Sequence, residues 1–299
     1  MTGSAVATPA ASTVATTTST PAARPPKSAR AKRLQRRLLM NLARLGIVVV
    51  LLLIWEWGVN DHNIDPFFWG QPSQVWATLK GWIVDGTPQG SLGAQIRVTL
   101  QEAVYGFIIG VVLGVICGIG LGSSRLMADL MSPFIKVGNS IPRIILGSIF
   151  TVAFGFGVES KVVLAVVLVF FGVFFNAFQG TREVDRNLIA NARILGASRL
   201  QVTRQVVLPS ASTWVLASLH ISFGFALIGA LVGEILGANQ GLGLLIRSSS
   251  QDNFDMNGVL AGMVIVAIIA LVAETLITLL EKRILRWRPP SNSADLTAV

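Results

Sequence analysis

The sequence predicts an all-α integral membrane protein with six transmembrane helices and a cytoplasmic two-helix loop between the fourth and fifth. Three observations lead to this prediction. The 299 residues are 52% hydrophobic and 13% charged, with a mean hydropathy of +0.65, which is far more apolar than a soluble domain of this length. Long uncharged runs recur along the chain, and a helix needs about 20 apolar residues to cross a bilayer core. The basic residues lie in short clusters beside these runs.

The N-terminal segment, residues 1–44, is predicted to be a disordered, basic cytoplasmic tail. Residues 1–23 are mainly Ala, Thr, Ser and Pro, a composition that buries too little apolar surface to offset the entropy of ordering. The rest of the tail holds eight basic residues, and the apolar run Leu45 to Val59 follows directly. This order resembles a secretory signal, but bulky residues from Trp55 onward occupy the place of a small-residue cleavage site. The run is therefore predicted to be a retained first span.

The transmembrane domain is predicted at residues 45–288, followed by a cytoplasmic tail at 289–299. Its spans are predicted at approximately residues 45–59, 99–122, 130–155, 161–180, 211–234 and 257–280. The third span needs an extension back through Pro133 and Pro142, because only fifteen residues separate Arg143 from Glu159. Both prolines are expected to kink it.

Charge asymmetry predicts the orientation. With the N-terminus inside, the inner segments hold twenty Lys and Arg and the outer segments hold four. Basic residues flanking spans favour the cytoplasmic side. Both termini and the loop at residues 182–209 are therefore predicted to be cytoplasmic. The net charge of +9 is explained by this orientation, and no nucleic-acid-binding pattern accompanies it, so no nucleic-acid partner is expected.

Two further patterns concern helix packing. Small residues repeat every four positions in the second span, at Gly106, Gly110, Gly114, Gly118 and Gly122. Such a stripe predicts the close approach of another helix, within the chain or from a second copy. Before this span, apolar residues between residues 73 and 86 recur at helical spacing. They predict either a helix in the outer membrane interface or a soluble cap helix.

The loop at residues 182–209 is predicted to form two short helices joined by a tight turn. Gly196 stands where a left-handed residue would end the first helix. Ser198 and Gln201 have the spacing of a capping box that begins the second, and Pro209 is expected to mark the turn into the fifth span. The predicted apolar face consists of Val184, Leu188, Ala192 and Leu195, then Leu200, Val202, Val206 and Val207. Such a face suits a protein groove, and the five arginines of the loop would also suit an anionic membrane surface.

The segment ANARILGASRLQVTRQVVLP (residues 190–209) resembles the cytoplasmic signature of bacterial ABC importer permeases, a Glu-Ala-Ala-x3-Gly-x9-Ile-x-Leu-Pro pattern. Aligned on Gly196, the matches are Ala192, Gly196, Leu208 and Pro209, with Val206 in place of the isoleucine. Ala190 stands in place of the glutamate and Asn191 in place of an alanine. Other segments, such as SIPRIILGSIFTVAFGFGVESK and VGEILGANQGLGLLI, are similar to the nitrate/sulfonate/taurine-type branch, and the resemblance covers residues 45–288.

This resemblance implies the permease subunit of an ATP-driven importer of the bacterial inner membrane, carrying a small sulfonate-, taurine- or nitrate-like anion. It implies two ABC ATPase subunits, an extracytoplasmic solute-binding protein and a second permease copy. The ATPase-coupling residues it implies are Ala192, Leu195, Gly196, Ala197, Ser198, Val206, Leu208 and Pro209. The sequence has no G-x-x-x-x-G-K-[ST] motif, so ATP and Mg²⁺ are expected on the partner ATPase and no cofactor on this chain.

Polar residues within spans are costly, and they mark candidate positions on a translocation path. The candidates are Asn139, Pro142, Arg143, Asn176, His220 and Glu234. Three interpretations of Arg143 stay open: it lines the path, reaches the cytoplasmic interface or pairs with Asp129. Asn176 and His220 also fit interhelical hydrogen bonds, Glu234 also fits an interfacial carboxylate, and Glu274 is a candidate to pair with a basic residue of a neighbouring helix.

The sequence offers little material for catalysis. His62 and His220 are the two histidines, Cys117 is the single cysteine, and neither H-E-x-x-H nor G-x-S-x-G occurs. No catalytic or metal site is therefore predicted, and the chain is expected to be a transporter subunit rather than an enzyme. A stand-alone secondary transporter or channel remains the alternative. It would need no ATPase, but the inverted repeat common in such transporters is not visible.

Overall fold

The computed structural model describes residues 27–61 and 65–284, and this part of the chain is almost entirely helical. The α-helices are α1 (Lys27–Asn60), α2 (Pro66–Trp69), α3 (Pro72–Val84), α4 (Leu92–Gly122), α5 (Arg125–Ser140), α6 (Leu146–Phe154), α7 (Val158–Arg182), α8 (Arg186–Ile194), α9 (Arg199–Val202), α10 (Leu208–Leu236), α11 (Leu242–Arg247) and α12 (Met256–Ile284). The described residues contain no strand, and Thr87 and Gly90 form one isolated bridge. The predicted all-α class is confirmed.

Contacts divide the chain at Ile54, within α1, into two units. In the first unit α1 begins at Lys27, so the predicted disorder of residues 27–44 is wrong. Lys, Arg, Leu and Ala are strong helix formers. Extending the adjoining apolar helix back through these residues costs less free energy than starting a separate helix. Residues 1–26 of the predicted tail, and the predicted C-terminal tail at 289–299, lie outside the described residues.

Five helical stretches of the described chain are long and apolar enough to span a membrane. They are Leu38–Asn60, Leu92–Gly122, Val158–Arg182, Arg199–Leu236 and Met256–Arg283. The remaining predicted span, the third, is a broken pair, Leu126–Ser140 and Arg143–Phe154, bent by 72°. Pro142 lies at this break, and Ile141 before it is extended, as a residue preceding proline prefers. The predicted kink at Pro142 is confirmed, whereas α5 continues through Pro133.

The fifth predicted span, at 211–234, is longer in the structure than predicted. Helix α9 passes through a π-helical segment, Thr203–Val207, directly into α10, and the whole stretch Arg199–Leu236 is helical. The expected turn at Pro209 is absent. Pro209 lies inside this continuous stretch, two positions after the π-helical segment, where the regular α-helical hydrogen-bond pattern is already interrupted. The second short helix of the loop is thus the beginning of the fifth span.

In the second unit, α4 and α7 pack closely along the predicted glycine stripe. A Cβ atom placed on Gly114 would lie 2.9 Å from the Cβ of Val173, and one on Gly118 would lie 2.7 Å from the Cβ of Ala177. The same four-residue step brings the other stripe glycines against Ala165, Val169 and Thr181. Only glycine permits this approach, so the stripe serves packing within the chain. Helix α10 completes the core through Ala226, Leu227 and Ala230.

The predicted helix before the second span is α3. Its Val75 and Trp82 are buried in a cluster with Leu242 and Leu245 of α11 and with α12, whereas Trp76 and Ile83 are exposed. The apolar residues that recur at helical spacing therefore divide between the protein core and the surface. Asp65 caps the neighbouring α2 by accepting a hydrogen bond from Phe67 N at 2.9 Å.

Candidate functional site

The two-helix loop is ordered by local hydrogen bonds. Asp185 caps α8 by accepting a bond from Asn187 N at 2.8 Å. Gly196 has a φ of +83°, which confirms the predicted left-handed turn. Ser198 Oγ accepts from Gln201 N at 3.3 Å, and Gln201 Oε1 accepts from Ser198 N at 2.7 Å, which confirms the capping box. The angle between α8 and α9 is therefore set by short-range chemistry.

The apolar residues of this loop divide between two surfaces. Val184, Val202 and Val207 are buried in a cluster with Ile119 and Ala177, so they hold the loop against the ends of α4 and α7. On α8, the turn and α9, the large aliphatic residues that remain exposed are Leu188, Ile194, Leu195 and Leu200. We call these four residues the aliphatic patch. The prediction of a single apolar face is wrong, because the sequence pattern does not distinguish the surface packed on the bundle from the surface facing away.

The predicted coupling residues lie partly on the buried side and partly on the exposed side of the loop. Ala192, Ala197 and Val206 are half-buried beside the cluster that anchors the loop. Leu195 is 87% exposed and belongs to the aliphatic patch. The others, Gly196, Ser198, Leu208 and Pro209, are exposed along the turn and the start of α10. The structure thus brings these predicted residues together in one element with a buried side and an accessible side.

A second candidate region is a groove of about 440 Å³ between α5, α7 and α10. It brings together two predicted path residues, Asn139 and Asn176. Sequence reasoning missed Lys136 and Trp214, which also line it. A signal existed, because Lys136 lies within a segment that had to be counted as membrane-spanning to complete the third span.

Arg143 lies beside this groove, immediately after the break at Pro142. Its Nη2 donates to Asn139 Oδ1 at 2.7 Å, and its guanidinium lies 4.7 Å from the centre of the Phe171 ring. The alternative in which Arg143 pairs with Asp129 is wrong, since Asp129 lies 3.6 Å from Arg182 instead. Arg143 is therefore held by the side-chain and backbone oxygens of Asn139 and by one aromatic ring.

Glu234 lies in the protein interior, so the interpretation of an interfacial carboxylate is wrong. Its side chain is fully buried, accepting hydrogen bonds from Thr99 Oγ1 at 2.7 Å and from Gly243 N at 2.5 Å. Thr99 Oγ1 also accepts from Leu242 N at 2.8 Å, and Gln95 Oε1 accepts from Gly241 N at 2.6 Å. These contacts tie the segment that begins α11 to α4 and α10.

Sequence reasoning missed most of this cluster. Glu102 and Lys161 are also buried there, and Lys161 donates to the carbonyl oxygens of Phe156 and Gly157 at 2.8 and 3.0 Å. The sequence places Lys161 at the very start of the predicted fourth span, 161–180, and gives no sign of its burial. The available signal was a set of polar residues in apolar helices, but their partners lie up to 146 residues away.

His220 connects two spans. Its Nδ1 lies 2.7 Å from Glu274 Oε1, and its Nε2 lies 3.0 Å from Glu281 Oε2, so α10 and α12 are joined. The interpretation of His220 as an interhelical hydrogen-bond partner is confirmed, as is the pairing of Glu274 with a basic residue. The two carboxylates contact opposite nitrogens of the imidazole ring, so the three side chains do not converge on one point where a metal ion could bind. In the described part of the chain no cluster could hold a metal ion.

Comparisons with known proteins agree with this architecture. Residues 110–286 match the family described as "Binding-protein-dependent transport system inner membrane component". The chain is 30% identical to the aliphatic sulfonates transport permease protein SsuC of Bacillus subtilis, over 82% of this chain and 87% of that protein. It is 29% identical to the taurine transport system permease protein TauC of Escherichia coli, over 81% and 88%. It is 32% identical to the riboflavin transport system permease protein RibX of Chloroflexus aurantiacus, over 87% and 95%.

Among solved structures, an inward-facing conformation of the MetNI methionine ABC transporter shares the fold, with a TM-score of 0.51 at 20% identity. The similarity covers 72% of this chain and 98% of that one. The matched family extends over the glycine stripe from Gly110 onward, the broken third span, the two-helix loop and the final span. The chain is therefore a multi-pass membrane transport component and belongs to the family of binding-protein-dependent transport system inner membrane components.

Proposed function

We propose that this protein is the permease subunit of an ATP-driven importer and provides the translocation path for a small anion of the sulfonate, taurine or nitrate kind. The observation that carries this proposal is the two-helix loop, in which the aliphatic patch is presented by helices of defined geometry. Names of relatives that refer to sulfonates and taurine support the substrate class.

The loop has the properties of a docking element. Ile194 and Leu195 are 82% and 87% exposed at the end of α8, and Leu200 is 77% exposed on α9. Large aliphatic side chains grouped on an exposed surface mark a contact site, since hydration of such a surface is unfavourable. The Gly196 turn and the capping box keep α8 and α9 in one arrangement, which lowers the ordering cost of binding.

The continuous helix from α9 into α10 would transmit movement of a docked subunit into the membrane. Because Arg199–Leu236 is one helical stretch, displacement of α9 by a docked subunit would reorient α10 inside the membrane. Helix α10 packs on α4 and α7 through Ala226 and Ala230 and is joined to α12 through His220. Motion of one docked ATPase would therefore reach the helices that enclose a path.

The proposal defines the assembly. Two separate ABC ATPase subunits bind ATP and Mg²⁺, this chain binds no cofactor, and a second copy of the chain completes the path. An extracytoplasmic solute-binding protein delivers the solute. The complex lies in a bacterial inner membrane with the loop and both chain termini in the cytoplasm, as the charge asymmetry supports.

The experiment is purification of the full chain expressed with candidate ATPase and binding-protein subunits, followed by reconstitution in vesicles. The ATPase is expected to co-purify in equal number with the permease, and solute uptake is expected to require both ATP and loaded binding protein. Changing Leu195 and Leu200 to Ser together should release the ATPase, whereas changing exposed Trp76 and Ile83 to Ser should not. Uptake driven by an ion gradient without an ATPase would instead establish a stand-alone transporter.

A further inference from the structure

Aromatic residues are concentrated in and around α2 and α3, and many of them face outward. Five of the seven tryptophans lie from residue 55 to residue 82. The exposed large apolar side chains of the two helices are Phe67, Phe68, Trp69, Trp76, Ile83 and Val84. We call these six residues the apolar edge. Val75 and Trp82 form the contact between α3 and the bundle, so the described part of the chain leaves the apolar edge uncovered.

Hydrogen bonds fix the beginning of α3 beside the ends of two spans. Glu56, near the end of α1, accepts from Ser73 N at 3.0 Å and from Ser73 Oγ at 2.8 Å. Asn257, at the beginning of α12, accepts from Gln71 N at 2.8 Å. Both Glu56 and Asn257 lie within about one turn of the end of a span. The first turn of α3 therefore lies at a boundary of the membrane.

The last turn of α3 lies beside the beginning of a third span. Trp82 belongs to a buried cluster against which Leu92 and Ile96, from the first turns of α4, are packed. A helix of 13 residues is about 20 Å long, so α3 reaches from the ends of α1 and α12 to the start of α4. Because both of its ends are fixed to the ends of spans, α3 runs along this boundary rather than across the bilayer.

Helix α2 is held at the same boundary. Gly70, between α2 and α3, has a φ of +62°, and a Cβ atom placed on it would lie 2.8 Å from Leu260 Cδ1 and 2.9 Å from Asn257 Oδ1. A larger residue would push α2 away from the beginning of α12. Trp57, next to Glu56 in α1, is also exposed. Exposed aromatic residues therefore occur both on a span and on the helices that lie at its end.

The chemistry of the apolar edge fits lipid. Tryptophan is enriched where membrane meets water, because its ring is apolar and its N–H group needs a polar partner. Lys80 is the single charged residue of α3, and it lies on the same face as Trp76 and Ile83 at four- and three-residue steps. Its carbon chain can cover apolar surface while its ammonium group reaches the phosphates. A soluble cap helix would present polar side chains on this face.

We propose that α2 and α3 form an interfacial anchor, which lies in the headgroup layer and inserts the apolar edge among the lipids. In the proposed orientation this is the extracytoplasmic side of the membrane. With one charge on α3 and none on α2, the anchor depends on apolar insertion and not on anionic lipid. Through Val75 and Trp82 it holds α11 and α12 at the boundary. A stand-alone transporter would need the same anchor, so the inference is independent of the proposed function.

Depth-dependent fluorescence quenching tests the anchor. The full chain with Cys117→Ala receives one new cysteine, is labelled with bimane and is reconstituted in uncharged phosphatidylcholine vesicles. The lipids carry bromine either near the headgroup end or near the methyl end of their acyl chains. In Trp76→Cys and Ile83→Cys, the shallow bromines are expected to quench at least about twofold more than the deep ones, which lie near the centre of a core about 30 Å thick. Gln251→Cys, at an exposed polar position after α11, is the matched control that neither lipid should quench.

Trp69→Cys extends the same test to α2 and provides a third position if another variant does not fold. Labels at positions 76 and 83 that neither lipid quenches would overturn the anchor. Iodide in the water then identifies the surface: quenching equal to that of Gln251→Cys indicates a soluble cap helix, and protection from iodide indicates a protein partner such as a second copy. Quenching that is equal for the two lipids, or stronger for the deep bromines, would place α3 in the hydrocarbon core and would also overturn the proposal.

Discussion

Gly196 provides a selective test of the coupling loop, because within this chain a side chain there acts only through the backbone. Its φ is +83°, and a Cβ atom placed on it would have no heavy atom within 4 Å. A left-handed conformation costs an ordinary L-residue about 1–2 kcal/mol, and a β-branched residue adapts poorly to it. Such a cost corresponds to about a 5- to 30-fold change in the ratio between loops with the observed turn and loops with an altered turn. We therefore expect Gly196→Val to change the turn without unfolding the bundle.

The assay is ATP hydrolysis stimulated by loaded binding protein, measured beside the amount of ATPase that co-purifies. Gly196→Val is expected to lower stimulated hydrolysis by about the same 5- to 30-fold factor, with a near-normal amount of permease in the membrane. Gly196→Asn should retain most activity, since asparagine enters the left-handed region more readily. Gly155 has a φ of +79° and equally open surroundings, but it lies between α6 and α7. Gly155→Val is therefore the matched control.

Two results would refute this reasoning. Full stimulated hydrolysis in Gly196→Val would show that the angle between α8 and α9 does not matter for coupling. An equal loss in Gly155→Val would show that backbone strain anywhere in the bundle impairs the complex. The first result would make the loop a connector between spans, and the second would show that the effect of Gly196→Val is not specific to the loop.

Four other changes are informative. Gly114→Leu should prevent folding or assembly, judged by size-exclusion chromatography, whereas Gly120→Leu on the same helix should fold, since a Cβ atom there meets nothing within 4 Å. Glu234→Ala should lower the free energy of unfolding by about 1–3 kcal/mol for each buried donor left unpaired, and thermal unfolding should show a smaller loss in Glu234→Gln. His220→Leu should lower the unfolding temperature by leaving two carboxylates unbridged, and replacing both partner glutamates with glutamine should recover part of it. Ala190→Glu should retain uptake in vesicles, because the position is exposed on α8 and glutamate favours helix.

The sequence alone predicted the elements that depend on interactions between residues close together in the chain. The apolar runs predicted helices at the observed places, because hydrophobic length and helix propensity act over neighbouring residues. The capping box at Ser198 and the left-handed Gly196 were predictable, since both depend on residues three or four apart. The glycine stripe predicted close helix packing, but it did not reveal that α7 of the same chain is the partner. These local signals also identified the candidate coupling loop.

The tertiary structure decided which polar and apolar groups meet. The sequence allowed several partners for Arg143 and Asp129, and only packing placed Phe171 beside the first and Arg182 beside the second. The buried Glu234 joins groups from distant parts of the chain, so its burial depends on how α4, α7 and α10 assemble. Likewise, Val184 packs inward and Leu188 remains exposed because the bundle lies on one side of α8. Whether a residue is helical depends mainly on its neighbours along the chain. Whether it is buried, and which groups it contacts, depends on packing between segments that are far apart in sequence.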